Sequence, residues 1–189
     1  PLRLVGSEMC IRDRTYVNSK IRACERVGFE SSLFQFDKSI SENELISEIE
    51  KINVNDDIDG FIVQLPLPKG INQENILDKV LPKKDVDGFN PINYGKMALG
   101  IETFLPATPA GIIELIKRYS IDLKGKKCLV IGRSQIVGRP ISILLSQNKI
   151  FGNATVTVAH SRSNNLKEIC LDSDTVSYTH LTLPTKRIV

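Results

Sequence analysis

Two groups of residues in this chain have types and spacings that suit chemistry. The first lies in Lys127-Cys128-Leu129-Val130-Ile131-Gly132-Arg133-Ser134-Gln135-Ile136-Val137-Gly138-Arg139-Pro140, which reads as a strand, a glycine-bounded loop and the opening of a helix. Four consecutive apolar residues, Cys128 to Ile131, suit a strand covered on both faces, and Gly132 falls where that strand must turn. Gly138 lacks a Cβ, so the backbone there can approach a ligand closely. The first-turn N–H groups of the helix carry a partial positive charge that favours a phosphate. The spacing departs from Gly-x-Gly-x-x-Gly, and a plain strand-to-helix turn satisfies it equally.

The surroundings strengthen the phosphate reading. A second β-rich run, Ala154 to Ala159, follows after a helix-sized interval and completes a βαβ unit. At its end stands His160-Ser161-Arg162-Ser163, where such units meet the adenosine ribose. An acid at that place reads a free 2′-hydroxyl, whereas basic and hydroxyl residues accommodate a 2′-phosphate. Arg133, Ser161 and Arg162 therefore point to NADP rather than NAD.

The second group is scattered through the first half of the chain. Tyr16 and Lys20 are four residues apart on a predicted helix, at the edge of its apolar stripe, where a side chain can face a cleft. A solvated lysine lying over an aromatic ring fits the same spacing. Gln64 ends the stretch Ile58 to Val63, which reads as a buried strand, just before Leu65-Pro66-Leu67-Pro68, so it stands at the carboxyl end of that strand, which in open α/β sheets faces the ligand crevice. Asp87 precedes Gly88 in Lys83-Lys84-Asp85-Val86-Asp87-Gly88-Phe89-Asn90-Pro91, a stretch of turn chemistry. Either a solvated turn or a fixed, ligand-facing carboxylate accounts for it.

The elements that must position these residues alternate between helix and strand. Thr15 to Val27 has Val17, Ile21 and Cys24 on one stripe and Gly28 as a stop. Phe29 to Phe36 is β-type, and Ser41-x-x-Glu44 forms a capping box ahead of Leu45, Ile46, Ile49 and Ile52. A short helix is expected from Gln73 to Val80, and another capped by Thr108 and started by Pro109 through Tyr119. This alternation predicts an α/β fold of two lobes, 15–108 and 109–176.

Composition excludes several classes of function. Of 189 residues, 25 are basic and 22 acidic, giving a formal net charge of +3 that is mixed along the chain. No basic block with interleaved aromatics suggests nucleic acid, and no apolar run is long enough to span a membrane. Cys10, Cys24, Cys128 and Cys170 form no CxxC pair, so neither a metal site nor a disulfide framework is expected, which suits a reducing cytoplasm. No secretory leader, repeat or low-complexity tract is expected either.

Five motifs occur in one order: Tyr16-Val17-x-x-Lys20, Val63-Gln64-Leu65-Pro66-Leu67-Pro68, Lys84-Asp85-Val86-Asp87-Gly88-Phe89, Pro106-x-Thr108-Pro109-x-Gly111, and Gly132-Arg133-Ser134-x-Ile136-Val137-Gly138-Arg139-Pro140. Together they closely resemble the bifunctional methylenetetrahydrofolate dehydrogenase/methenyltetrahydrofolate cyclohydrolase family of the bacterial type, over Thr15 to about Asp174. The resemblance implies a folate-binding α/β lobe and an incomplete Rossmann-like NADP lobe sharing one cleft. It further implies oxidation of 5,10-methylenetetrahydrofolate by NADP, hydrolysis of the methenyl product to 10-formyltetrahydrofolate, a homodimer, and a place in one-carbon metabolism and purine biosynthesis. By motif, Lys20 matches the catalytic lysine, Tyr16 the tyrosine packing on the folate, Gln64 the glutamine supporting the lysine, and Asp87 the aspartate holding the pterin. Gly132, Arg133, Ser134, Ile136, Gly138, Ser161 and Arg162 fall at NADP-binding positions.

The chain also departs from that pattern. Ala107 stands where many members have cysteine. Residues 1–14 and 177–189 lack the periods and caps of the intervening segments and are expected to stand outside the fold as foreign additions, which leaves His180 without a role. The family's opening strand and later dinucleotide strands are expected to be missing. Two other descriptions remain open from sequence: another NADP-dependent α/β dehydrogenase, and a non-catalytic fragment that keeps only ligand surfaces.

Overall fold

The structure, a computed structural model, describes residues 2–7 and 11–178, the side chains from Val17 onward. The described residues divide into two compact units, the first running to Lys96 with Thr103–Leu105, the second comprising Met97–Glu102 and the chain from Pro106.

The first unit contains β1 (Leu2–Ser7), α1 (Ile11–Arg26), β2 (Ser31–Phe36), α2 (Glu42–Val54), β3 (Gly60–Val63), α3 (Gln73–Lys79) and most of α4 (Pro91–Ala98). Its sheet is parallel with strand order β2-β1-β3. All four residues of β3 are buried, with successive side chains joining opposite cores, which explains why its sequence is apolar throughout. Phe61 and Val63 join the core made with Leu45, Ile49 and Ile52 of α2, while Ile62 packs with Val17 and Ile21 of α1. A strand covered on both faces has no position where a polar side chain reaches water. The capping box starts α2 as its sequence requires: Ser41 Oγ accepts from Glu44 N at 3.3 Å and Glu44 Oε2 accepts from Ser41 N at 2.9 Å.

The second unit contains α5 (Ala107–Arg118), β4 (Lys127–Ile131), α6 (Gly138–Ser146), β5 (Thr155–Ala159), α7 (Leu166–Leu171) and β6 (Thr175–Tyr178). Its sheet is again parallel, in the order β5-β4-β6. Ile116 of α5 and Ile141 and Leu145 of α6 bury one core against Cys128 and Val130 of β4.

Three sequence expectations are corrected. Residues 2–7 do not stand outside the fold: Leu2–Ser7 is the middle strand of the first sheet, paired from Leu2↔Ser31 to Ser7↔Phe36 on one side and from Leu2↔Gly60 to Val5↔Val63 on the other. Ile11 to Arg14 likewise belong to α1, and Ser177 and Tyr178 complete β6 beside Val130 and Ile131. Pro1, residues 8–10 with Cys10, and residues 179–189 with His180 lie outside the described residues. Thr108 does not cap α5, which starts two residues earlier than expected, at Ala107, with Pro106 at the N-cap position and no side-chain cap bond. The stretch expected to be turn alone, 83–91, runs directly into α4.

Among the described residues no helix is long and apolar enough to cross a membrane. No group of three or more His, Cys, Asp or Glu there could hold a metal ion. Cys24, Cys128 and Cys170 are free thiols, and burial raises that of Cys128 above its ordinary pKa.

Candidate functional site

Lys20, Gln64 and Asp87 come together in the first unit. Lys20 lies one turn past Val17 on α1, half-buried, because Val17 and Ile21 anchor that face of the helix to Ile62. Gln64 follows the last residue of β3, which places its amide at the carboxyl end of the sheet. The Lys20 ammonium donates to Gln64 Oε1 at 3.2 Å, and Gln64 Nε2 donates to the carbonyl of Leu65 at 2.9 Å. The second bond settles which way the amide faces, so its oxygen is the atom turned to the lysine. Tyr16 lies on α1 one turn before Lys20, and its side chain is outside the described part of the structure.

Asp87 enters the group through electrostatics. Burial pushes its carboxyl pKa up, the Lys20 ammonium pulls it back down, and the Asp85 carboxylate adds a further upward push. A cation, an amide oxygen and a carboxyl of raised pKa thus face one region of the first unit. That combination can hold a polar heterocycle by its ring nitrogens and move a proton beside it.

The loop carrying Asp87 is not a solvated turn. Lys84 and Asp85 are each 4% exposed, and Asn90 and Asn93 each 2%. The Lys84 ammonium donates to the carbonyls of Ile52 at 3.1 Å and Asn55 at 2.6 Å, at the end of α2, where the helix dipole favours a cation. Sequence inspection singled out the two carboxylates and the lysines but missed the asparagines. The only local signal was the density of Asn and Asp around Pro91, which turn propensity explains as well.

The second unit holds the glycine turn. Gly132 follows β4 with φ 122°, a backbone conformation that glycine adopts readily, and its N–H donates to Ala159 O at 2.7 Å. A Cβ on Gly138 would lie 2.3 Å from Gly132 O and 2.9 Å from Arg133 N, so α6 begins in contact with the loop backbone. The helix N-terminus is partly occupied by the chain itself. Ser134 Oγ accepts from Val137 N at 3.1 Å and Gly138 N at 3.2 Å, and Ser134 O accepts from Arg139 N at 3.0 Å. Ser134 therefore shapes the loop by capping, whatever else it binds. Ile136 is half-buried in the same loop.

β4 and β5 end side by side, with Ile131 opposite Ala159, which brings the residues after each strand to one end of the sheet. His160 organises the turn after β5: its N–H donates to Ser163 Oγ at 2.9 Å and its Nδ1 accepts from Arg162 N at 3.2 Å. Arg133, Ser161 and Arg162 are exposed there, and residues 132–139 and 160–163 contain no acid.

Two parallel α/β units, one with a lysine–amide–carboxyl group and one with a glycine turn and basic residues at its strand ends, define an α/β protein whose second unit has a dinucleotide-binding type of fold. Family models place it further. The model described as the tetrahydrofolate dehydrogenase/cyclohydrolase catalytic domain matches residues 4–87, and that of the NAD(P)-binding domain matches residues 106–180. The chain belongs to the tetrahydrofolate dehydrogenase/cyclohydrolase family.

Relatives agree. The chain is 57% identical over 162 residues to the bifunctional protein FolD of Christiangramia forsetii, covering 86% of this chain and 54% of that protein. It spans little more than half the length of the curated relatives it matches. Among solved structures it is similar to the bifunctional FolD dehydrogenase/cyclohydrolase of Campylobacter jejuni, at 40% identity and TM-score 0.89 over 94% of this chain and 62% of that one. It is also similar to the Trypanosoma brucei enzyme complexed with NADP and inhibitor, at 28% identity and TM-score 0.87, over 94% of this chain and 60% of that one.

Proposed function

We propose that the chain serves NADP-dependent oxidation of 5,10-methylenetetrahydrofolate to 5,10-methenyltetrahydrofolate and hydrolysis of that product to 10-formyltetrahydrofolate. The observation that carries this reading is the hydrogen bond of 3.2 Å from the Lys20 ammonium to Gln64, beside a carboxyl whose pKa responds to Lys20.

In the hydrolysis, water adds to the cationic methenyl carbon and gives up its first proton, leaving a neutral carbinol. The carbinol hydroxyl then loses its proton as the bond from that carbon to N5 breaks, N5 takes up a proton, and the formyl group stays on N10, with one proton released overall. Lys20 is the group placed to move that proton, Gln64 holds it in position, Asp87 binds the pterin, and Tyr16 packs on the folate.

The second unit fits a phosphorylated dinucleotide. Gly132 and Gly138 keep the loop backbone free of side chains at its closest approach, and the ends of β4 and β5 carry arginines and no acid. Arg133, Ser161 and Arg162 would hold the 2′-phosphate, and the loop from Gly132 to Gly138, with Ser134 and Ile136, the pyrophosphate side. When bound, NADP supplies the acceptor for the hydride that leaves the methylene carbon.

The same proposal extends to a cytoplasmic homodimer supplying formyl groups for purine biosynthesis, without nucleic-acid or membrane partners. The free thiols of Cys24, Cys128 and Cys170 suit a reducing compartment. The test is to supply 5,10-methylenetetrahydrofolate and NADP and follow both NADPH and 10-formyltetrahydrofolate. One formyl product per NADPH is expected. A chain that binds both ligands but forms neither product would be a binding protein only.

A further inference from the structure

Asp85 is a buried carboxylate with no role in the reaction described above, and it accepts hydrogen bonds from the turn that carries Asp87, from the limb leaving it and from α4. Its main-chain carbonyl accepts from Gly88 N at 3.3 Å, closing the four-residue turn in which Asp87 is third. Its Oδ1 accepts from Phe89 N at 3.2 Å, and its Oδ2 accepts from Asn90 N at 2.8 Å and from Asn93 Nδ2 at 2.9 Å. One residue therefore holds both the turn and the limb leaving it. A buried carboxylate bonded this way is anchored firmly, because losing any donor leaves charge without compensation.

The frame around Asp85 is tied to the rest of the first unit at several places. Phe61 N of β3 donates to Lys84 O at 2.9 Å, so the loop begins on the strand that ends in Gln64. A Cβ on Gly60 would meet Val86 Cγ1 at 2.4 Å, so that strand and the loop are in direct contact. On the far side, Asn90 Nδ2 donates to Val80 O at 2.9 Å at the end of α3, while Asn90 Oδ1 accepts from Ile92 N at 2.8 Å and caps α4. Asn93 Nδ2 also donates to Pro82 O at 2.8 Å.

We propose that Asp85 is a positioning residue for Asp87, setting the carboxyl of Asp87 in register with Lys20 and Gln64 through the turn and the donors it gathers. The inference rests on the folate reading for its functional consequence, but the placement of Asp87 can be tested without ligand. The charged groups acting on Asp87 are Lys20 of α1 and Asp85 itself. Replacing Asp85 by asparagine keeps the size, removes the charge and turns an NH₂ group toward N–H donors.

The experiment combines a double-mutant cycle with a titration, both on the full chain. Tetrahydrofolate dissociation constants are measured for the parent, Asp85→Asn, Asp87→Ala and the double variant. Asp85→Asn is expected to weaken binding about tenfold or more, and the double variant to bind no more weakly than Asp87→Ala, because a misplaced group and an absent one lose the same contact. Effects that simply add, or parental affinity in Asp85→Asn, would overturn the proposal. In parallel, carbon-detected NMR follows the Asp87 carboxyl against pH with Lys20 present and in Lys20→Met, which reads how far the ammonium lowers its midpoint. That lowering should shrink in the Asp85→Asn background, where Asp87 has left its place beside Lys20, and a lowering of parental size there overturns the proposal. If the parent binds no tetrahydrofolate, the folate reading fails and this coupling to Lys20 alone decides. Should Asp85→Asn fail to fold, Asn93→Ala removes one of the three donors while keeping the Asp85 charge, and should weaken both folate binding and the coupling by less; no change in either overturns the proposal.

Discussion

The two units share one strand order and place their chemistry differently. In each, the first strand lies in the middle and the next two pair on either side, β2-β1-β3 and β5-β4-β6. Each chain path therefore reverses direction across its middle strand, and parallel sheets open ligand crevices at the carboxyl ends beside such a reversal. The second unit follows that rule directly, with Gly132 after β4 and basic residues after β4 and β5. The first unit draws Lys20 from a crossover helix, Gln64 from the end of an outer strand and Asp87 from a loop further on. Backbone groups and surface charge suffice for the phosphate binding proposed for the second unit, whereas the proton transfer proposed for the first needs particular side chains at fixed separations. The shared topology sets where a site forms; it does not choose the chemistry.

The second crossover helices differ as well. α2 buries Leu45, Ile49 and Ile52, whereas α7, at the same topological place, has no buried residue. Its six residues rely on bonds such as Asp172 N to Glu168 O at 3.0 Å. Equal connectivity thus carries unequal burial, and amide exchange at α7 should be faster than at α2.

The sharpest way to separate the units is Lys20→Met. It should lower methenyl hydrolysis by about 10²- to 10⁴-fold while NADP still binds, since general acid–base groups contribute on that scale. Near-parental hydrolysis would remove Lys20 from the mechanism.

The next largest effect compares two glycines. Gly138→Ala sets a Cβ against loop backbone that has no flexible end to yield and should destabilise the second unit by about 3 kcal/mol. Gly60→Ala meets Val86 Cγ1 first and should weaken the first unit by about 2 kcal/mol. Amide exchange read separately at β3 and β4 checks both, and loss of protection in the wrong unit breaks the comparison.

A third test concerns surface charge in the second unit. NADP should bind more tightly than NAD by about 1 to 3 kcal/mol, the range of charge-assisted hydrogen bonds, and Arg133→Ala should narrow the gap without altering folate affinity. Equal dissociation constants in the parent would count against the 2′-phosphate site.

The smallest effect is on stability. Because the pKa of Asp87 is raised in the folded protein, ionising it disfavours folding. The penalty is absent below the unfolded value of about 3.9 and grows as pH rises through the folded value. Asp87→Asn should therefore show a small rise in Tm at neutral pH that vanishes in acid, together with weaker folate binding. A lowered Tm at neutral pH would mean that the Lys20 attraction outweighs burial.

Much of this was legible in local sequence. The Ser41–Glu44 capping box, the apolar run of β3 and the glycine turn after β4 depend on neighbours a few residues away, and each formed where its pattern predicted. The approach of Gln64 to Lys20 was expected from family resemblance and is drawn across 44 residues of chain. What tertiary structure alone decided has a common cause, which is dependence on remote backbone. Leu2–Ser7 becomes a central strand because β2 and β3 offer it hydrogen-bond partners on both edges, and no periodicity within six residues registers those partners. Lys84 is buried because carbonyls 29 and 32 residues earlier replace its water, and Asp85 because the loop and α4 bring donors to it. In sequence the two look like an ordinary solvated pair, since a charge reveals its burial only through the distant groups that compensate it.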